Sequence, residues 1–436
     1  MQSGNPKIKN GGILAKNPLR QAAVEIIEAG LQAIDTKYSV STRIKYQKDT
    51  LFIDDRKYPL EKIKRVFVVG VGKCSLEAAL ALEDILGDRL EDGIVIDLKC
   101  ETNPKKIKFY KGDHPLPTEN NVNLTRQLIE FLEKAEKDDL VLFLISGGGS
   151  ALLCQPNNFN FLAEKNLMSY LMKSGANIRD VNIVRKHLSL ARGGFLAKYV
   201  YPARSIALIF SDVGNDMEFV ASGPTIKDTT TIEDAKKVLI KYGAEEFCNF
   251  DLENLTETPK DDKYFEKMEN KLFLSNLIAL REMANRAEKL GFKTEIKTTK
   301  LEGEARDIGE QIAREINESD QKIALIYGGE TTVTVKTHGK GGRNQELALS
   351  ALRFIEDDCL VAAVNSDGWD NTDFAGALCD NLTREKANEL GLDVSEYLDK
   401  NQSYNFFEKV GDYFRTGLTN SNIADLLLAL KNRNNE

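Results

Sequence analysis

The sequence predicts an α/β protein built on a parallel sheet, followed by a smaller α/β domain with a mixed sheet. Three observations carry this. Short, almost wholly apolar runs recur in the first half, at Val66 to Val69, Leu140 to Ile145 and Ile206 to Phe210. Segments with apolar residues at helical spacing lie between them, as at 75–86 and 121–135. Each run ends in a cluster of glycine, serine or aspartate. Strands that are apolar on both faces and alternate with amphipathic helices belong to parallel sheets covered on both sides. In such sheets ligands sit beyond the carboxyl ends of the strands, which is where these clusters fall.

Taken in order, residues 18–34 open the chain with Leu19, Ala22, Ala23, Ile26, Ile27, Leu31 and Ile34 on a helical repeat. The strand and helix alternation follows. The polar stretch 248–272 has little periodicity and marks the expected boundary, giving domains at 18–250 and 272–430. Beyond it the pattern predicts a helix at 276–289, a strand at 293–298, a helix at 304–317 and a strand at 322–327. Residues 330–336 set Thr331, Val333 and Val335 against Thr332, Thr334 and Lys336, a period of two that predicts a half-exposed strand and hence the mixed sheet. A helix is expected at 345–355, capped by Asn344.

The chain has 436 residues, 42% apolar and 29% charged, enough to bury substantial cores. Its net charge of -8, with acidic and basic residues interleaved, offers no broad cationic surface for nucleic acid. Cysteines 74, 100, 154, 248, 359 and 379 show no C-x-x-C spacing, which signals neither a zinc site nor a disulfide framework. The first 17 residues lack an apolar signal core, and no segment approaches the roughly 18 apolar residues that span a bilayer. A cytoplasmic protein with no membrane partner is expected; a homodimer is left open.

Candidate chemistry falls at the strand ends. Gly70-Val71-Gly72-Lys73 would bring backbone N–H groups and a lysine to one turn, suiting a phosphoryl group or carboxylate. It is not a Walker A loop, because Phe67 stands where that motif has its first glycine, and Ser75 replaces the third glycine of the dinucleotide fingerprint. Ser146-Gly147-Gly148-Gly149-Ser150 allows close backbone approach to a ligand. Asp212 and Asp216 lie in one aspartate-bearing loop, and Asp367 and Asp370 in another; such loops supply Mg2+ ligands or a proton acceptor, or simply form turns and caps. His338 to Asn344 places Lys340, Gly341, Gly342 and Arg343 before a helix, where free N–H groups and cations favour an anion. Arg185, Lys186 and His187 share a predicted helix, where such residues are usually surface charges. No Ser/His/Asp or Cys/His arrangement can be argued from spacing.

These motifs resemble the glycerate 2-kinase family, also called GCK/MOFRL. The matching stretches are Val69 to Lys73, Gly112 to Pro117, Leu144 to Leu153, Asn182 to Ser189, Ser211 to Val213 with Ala221 to Thr225, Gly328 to Leu347, Ser366 to Ala377 and Thr416 to Asp425. The resemblance implies ATP-dependent phosphorylation of D-glycerate to 2-phosphoglycerate with Mg2+, a Rossmann-like first domain, and an active site in the cleft between two domains. It places catalytic roles on Lys73, Arg343 and Asp212. Substrate or phosphate contacts are expected from Gly72, Ser146, Gly147, Gly148, Gly149, Ser150, Arg185, Glu330, Lys340, Gly341, Gly342 and Asn344, and metal ligands from Asp216, Asp367 and Asp370. Two loops depart from the family pattern: Ser211-Asp-Val continues as Gly-Asn-Asp-Met-Glu, and Ser366 to Asp373 gains Trp369, the chain's only tryptophan. Trp369 either reshapes the substrate pocket or stacks on a nucleotide base. The alternatives are an NAD(P)-dependent hydroxypyruvate reductase, a non-catalytic sugar-acid binding protein, or a kinase of a related small hydroxy acid.

Overall fold

A computed structural model describes residues 6–98, 104–157, 159–211, 216–419, 421 and 423–432. The chain divides into a central unit, Ser39–Leu274, and a terminal unit made of Met1–Tyr38 and Ser275–Glu436.

The central unit opens with a three-stranded antiparallel sheet of β1 (Ile44–Gln47), β2 (Thr50–Ile53) and β3 (Arg56–Pro59). Its main sheet contains β4 (Val66–Val71), β5 (Leu90–Asp97), β6 (Ile107–Lys111), β7 (Leu140–Ser146), β8 (Arg204–Phe210) and β9 (Met268–Leu274) in the order β6-β5-β4-β7-β8-β9, all parallel. Every residue of β4 and β7 is buried, as their unbroken apolar runs require. On one face Val69, Phe143 and Ile209 pack with Leu124 and Leu128 of the helix Glu119–Leu132 and with Leu196. The order doubles back between β4 and β7, so their carboxyl ends form the topological switch point where such sheets bind ligands.

The terminal unit holds a mixed sheet of β10 (Lys293–Leu301), β11 (Ile323–Gly329), β12 (Cys359–Asn365), β13 (Gly376–Cys379), β14 (Tyr413–Phe414) and β15 (Asp425–Lys431), ordered β10-β11-β15-β12-β13-β14. β10 and β11 are parallel; β15 runs antiparallel to both β11 and β12. The register pairs Asp425 with Gly329 on one side and Asn365 on the other, so the carboxyl ends of β11 and β12 meet the start of β15.

Three expectations change. Residues 18–38 group with the terminal unit, because the helix Pro18–Ala33 buries Arg20 against Asp380 and Asp412, and the packing of Gly30 leaves no room for a side chain beside Met283 and Leu426. The boundary lies at 274/275, since β9 completes the central sheet. Residues 330–336 form no strand beyond an isolated bridge from Glu304 to Thr332; the mixed character of the sheet comes from β15. Among the described residues no helix is long and apolar enough to cross a membrane.

Candidate functional site

At the switch point, β4 passes through Gly72 into the helix Ser75–Leu86. Gly72 sits at φ +122, and a Cβ there would lie 2.1 Å from the Ser146 hydroxyl, so the two strand ends touch only because this residue is glycine. The Lys73 N–H donates to the Gly147 carbonyl at 3.0 Å, tying both loops together. Gly148, at φ +81, separates Lys73 from His114: a Cβ there would meet the Lys73 chain at 3.0 Å and the His114 ring at 3.4 Å. Lys73 is exposed and forms no ion pair with a described carboxylate. Partial desolvation, and then the charge of Lys73, hold the His114 pKa below the ordinary histidine value.

Beside this turn lies a cavity of about 570 Å3 lined by His114, Gly147, Gly148, Ser150, Asn182 and Arg185, with an apolar wall described below. Ser150 and Ser222 hydroxyls are 2.9 Å apart, and Ser222 donates to Asn182 at 2.7 Å. Ala221 and Ser222 both hold positive φ (51 and 59), a strained conformation for residues with side chains. Arg185 faces the cavity and makes no ion pair among the described residues; Glu164, which also lines the cavity, is taken by Arg192 at 2.6 Å. Burial, then the like charge of Arg192, push the Arg185 pKa down to about 10. An unpaired, desolvated guanidinium beside glycine backbone is a receptor for an anion.

The terminal unit assembles a second site at the β11, β12 and β15 ends. The guanidinium of Arg343, first residue of the helix Arg343–Ala351, donates to both Asp425 oxygens at 2.6 and 2.9 Å and lies 3.2 Å from Glu330. Burial opposes the Arg343 charge, but Asp425 and Glu330 outweigh it and hold its pKa above the usual arginine value. Burial pushes the Asp425 carboxyl up to about 7 against the pull of Arg343, with Asp370 and Glu330 adding to the rise. Arg343, Gly341, Gly342, Val333, Val335 and Trp369 line a cavity of about 650 Å3.

The sequence comparisons place the chain among known proteins. The model "Domain of unknown function (DUF4147)" matches residues 22–255, and "MOFRL family" matches residues 323–425. The "Glycerate 2-kinase" of Pyrococcus horikoshii is 37% identical over 434 residues, covering 94% of this chain and 97% of that protein. The chain belongs to the glycerate 2-kinase family. A crystal structure of glycerate kinase from Thermotoga maritima matches with a TM-score of 0.83 at 34% identity, over 95% of this chain and 99% of that one. A relative from Agrobacterium vitis bearing a hydroxypyruvate reductase name is 34% identical over 93% of each chain.

Within this glycerate 2-kinase family chain, the residues expected from sequence fall into two groups. Gly72, Lys73, Ser146, Gly147, Gly148, Gly149, Ser150 and Arg185 gather in the central unit; Glu330, Lys340, Gly341, Gly342, Arg343, Asn344, Asp367 and Asp370 lie in the terminal unit. Asp212 lies outside the described residues. Asp216 is in the central unit, so it belongs to a different unit from Asp367 and Asp370. Among the described residues no group of three or more His, Cys, Asp or Glu converges as a metal site.

Three local expectations are corrected, and Lys340 gains a neighbour. Asp370, expected on metal, caps the helix Arg343–Ala351: one oxygen accepts from the Asn344 N–H and side chain at 3.1 Å each, the other from the Gln345 N–H and side chain at 2.9 Å each. Its carboxylate therefore fills the anion position that the free helix N–H groups offered, and Asn344 is a donor inside the helix while Gly342 holds the cap position. Lys340 lies 3.4 Å from the centre of the Tyr404 ring, a cation–π contact. Lys186 and His187 are buried, not surface charges: Lys186 pairs with Asp228 at 3.2 Å and His187 bonds to Thr256 and Thr230.

Sequence reasoning passed over His114, Asn182, Ser222 and Asp425. The first three sit inside quoted family stretches that carried no separate chemical argument. Asp425 also ends a quoted stretch, but only the pairing of β15 between β11 and β12 brings it to Arg343.

Proposed function

We propose that this chain transfers the γ-phosphate of ATP to the 2-hydroxyl of D-glycerate, giving 2-phosphoglycerate, with Mg2+ as cofactor. The observation that carries the reading is the switch point of the central sheet, where glycine backbone, exposed Lys73 and cavity-facing Arg185 come together, neither cation in an ion pair with a described carboxylate and the cavity's Glu164 paired with Arg192. Phosphoryl transfer asks little covalent chemistry of a protein; it needs alignment and neutralisation of charge on the transferring group. Lys73 is assigned to the phosphoryl oxygens, with backbone N–H groups of the Ser146 to Ser150 loop beside it. Arg343 keeps one face open, about a quarter of its side chain, and is assigned to a substrate carboxylate or phosphate. Its grip on Asp425 and Glu330 fixes the direction of that face.

Mg2+ fits the donor set as a nucleotide-borne ion. Mg2+ keeps several waters and takes one or two carboxylates together with phosphate oxygens, so a dedicated cage is not required. Asp216, in the central unit, or Asp367, in the terminal unit, is proposed to supply such a carboxylate; Asp370 is not, because both its oxygens accept from the head of the helix Arg343–Ala351. The ion would neutralise phosphate charge. Asp212 is the proposed acceptor for the hydroxyl proton, on family resemblance.

Purified protein with ATP, Mg2+ and D-glycerate is expected to form a product consumed directly by enolase, which acts on the 2-phosphate. Absence of turnover with D-glycerate and with related small hydroxy acids would refute the kinase reading. No NADH oxidation is expected with hydroxypyruvate, because Ser75 replaces the third glycine of the dinucleotide turn.

A further inference from the structure

The central cavity has linings of two kinds. Arg185, Lys173, Glu164, Asn182, Ser150, Ser169 and the Gly147-Gly148 backbone are polar. Leu116, Met168, Met172, Ile178 and Phe219 are apolar. Met172 and Ile178 are 52% and 58% exposed, and water contact on such side chains is unfavourable unless something covers them. D-glycerate is a three-carbon acid with hydroxyls on its backbone and has no apolar face to offer. A cavity of about 570 Å3 also falls within the roughly 300 to 1,000 Å3 of sites that enclose larger cofactors. One ligand class in the reaction pairs a flat apolar ring with several negative charges.

We infer that this cavity is the nucleotide seat, with the purine ring of ATP on the wall formed by Met168, Met172 and Ile178 and its phosphates toward Arg185, Lys73 and the Gly147-Gly148 backbone. The inference rests on the kinase reading and adds to it the position of the base. Methionine suits the role: unbranched and polarisable, it makes favourable sulfur contacts with aromatic rings and adapts to their outline. Met172 lies in the last turn of the helix Phe161–Lys173 and Ile178 begins the helix Ile178–His187 that also carries Arg185. One short connection therefore sets the spacing between base wall and phosphate cation.

The test compares ATP with inorganic triphosphate by titration calorimetry on the full chain. Wild-type protein should bind ATP at least about tenfold more tightly than triphosphate. The pair Met172→Ser with Ile178→Ser should weaken ATP about tenfold and leave triphosphate unchanged, whereas Arg185→Met should weaken both. Both serine substitutions are at exposed positions; should the pair fail to fold, Ile178→Ser alone should still cost ATP about threefold. Unchanged ATP affinity in the folded serine variants overturns the inference, as does a selective loss of ATP affinity in Trp369→Leu, which would put the base in the terminal unit. Turnover separates this from the kinase reading. A wild-type enzyme that phosphorylates D-glycerate while the serine variants keep full ATP affinity defeats only the nucleotide seat. A protein that shows the expected binding pattern yet phosphorylates no hydroxy acid defeats only the reading.

Discussion

Replacing Arg20 by methionine tests whether the first helix belongs to the terminal unit. The Arg20 side chain is fully buried and its guanidinium makes five hydrogen bonds: to both oxygens of Asp380 at 2.7 and 2.5 Å, both oxygens of Asp412 at 2.7 and 2.9 Å, and Thr383 at 2.9 Å. Methionine keeps much of the volume, so the loss is electrostatic. It strands two carboxylates that are 4% and 1% exposed, with Lys16, 2.9 Å from Asp412, the one cation left paired to them among the described residues. Removing one partner of a buried pair costs about 3 to 5 kcal/mol; with two acids orphaned, the upper end applies. Total stability is about 5 to 15 kcal/mol, so the unit is left marginal. At a urea dependence of about 2.5 kcal/mol per molar, the midpoint falls by roughly 2 M.

The assay is urea unfolding followed by the fluorescence of Trp369, the chain's only tryptophan, which reports the terminal unit. The pH dependence supplies a second check. In the wild type, burial alone pushes the Asp412 carboxyl up, but Arg20 outweighs it and the pKa is lowered, so that contribution is present at neutral pH and fades as pH falls through the folded value. In the variant, burial is unopposed by Arg20, the pKa rises, and stability grows as pH falls. The difference between the two proteins should narrow from pH 7.5 to pH 5. A midpoint within 0.5 M of wild type (roughly 1 kcal/mol), or a gap that widens in acid, would refute the buried cluster.

Lys73→Ala should cut D-glycerate phosphorylation by on the order of a hundredfold or more with an unchanged melting temperature, because Lys73 is exposed and forms no ion pair with a described carboxylate; near-normal turnover in the coupled assay would remove it from the site. Arg343→Ala should lose activity and also about 2 to 4 kcal/mol of stability, since Asp425 would be left 1% exposed without its two hydrogen bonds; adding Asp425→Asn should restore much of the stability and none of the activity, as measured by urea unfolding beside the assay. Arg185→Met should raise the stability of the ligand-free protein. A cation whose folded pKa is depressed from the ordinary arginine value to about 10 costs the folded state on the order of 3 kcal/mol while it stays charged, a cost relieved only as pH rises past that value or an anion binds. The same variant should lose most of the melting-temperature increase that saturating ATP gives the wild type, and a full ATP response would count against the anion receptor.

Local periodicity carried most of the element list. The helices Ser75–Leu86 and Asn276–Lys289 coincide with the expected 75–86 and 276–289, because amphipathic spacing is a property of neighbouring residues. The failed strand at 330–336 shows the limit of that signal: alternation is necessary for a half-exposed strand, but pairing also needs a free sheet edge, and β11 already lies between β10 and β15. The departure at Asn344 has the same origin. Its sequence position suits a cap, yet a buried carboxylate from 26 residues onward reaches the helix N–H groups first.

What the sequence by itself determined is the local chemistry: glycines at strand ends, Lys73 in an anion-binding turn, Arg343 at the head of a helix, and the family that these stretches spell out. Tertiary structure alone decided the partners. β15, the last strand, inserts between β11 and β12 and carries Asp425 to Arg343, while Arg20 from the first helix crosses to Asp380 and Asp412, more than 350 residues away in the chain. No local pattern encodes such pairings, because their energy comes from burying opposite charges together, which depends on where the fold places them rather than on which residues stand next to them. The turn around Lys73 could be read from the chain; the pairing of Glu164 with Arg192 rather than with Arg185 could not.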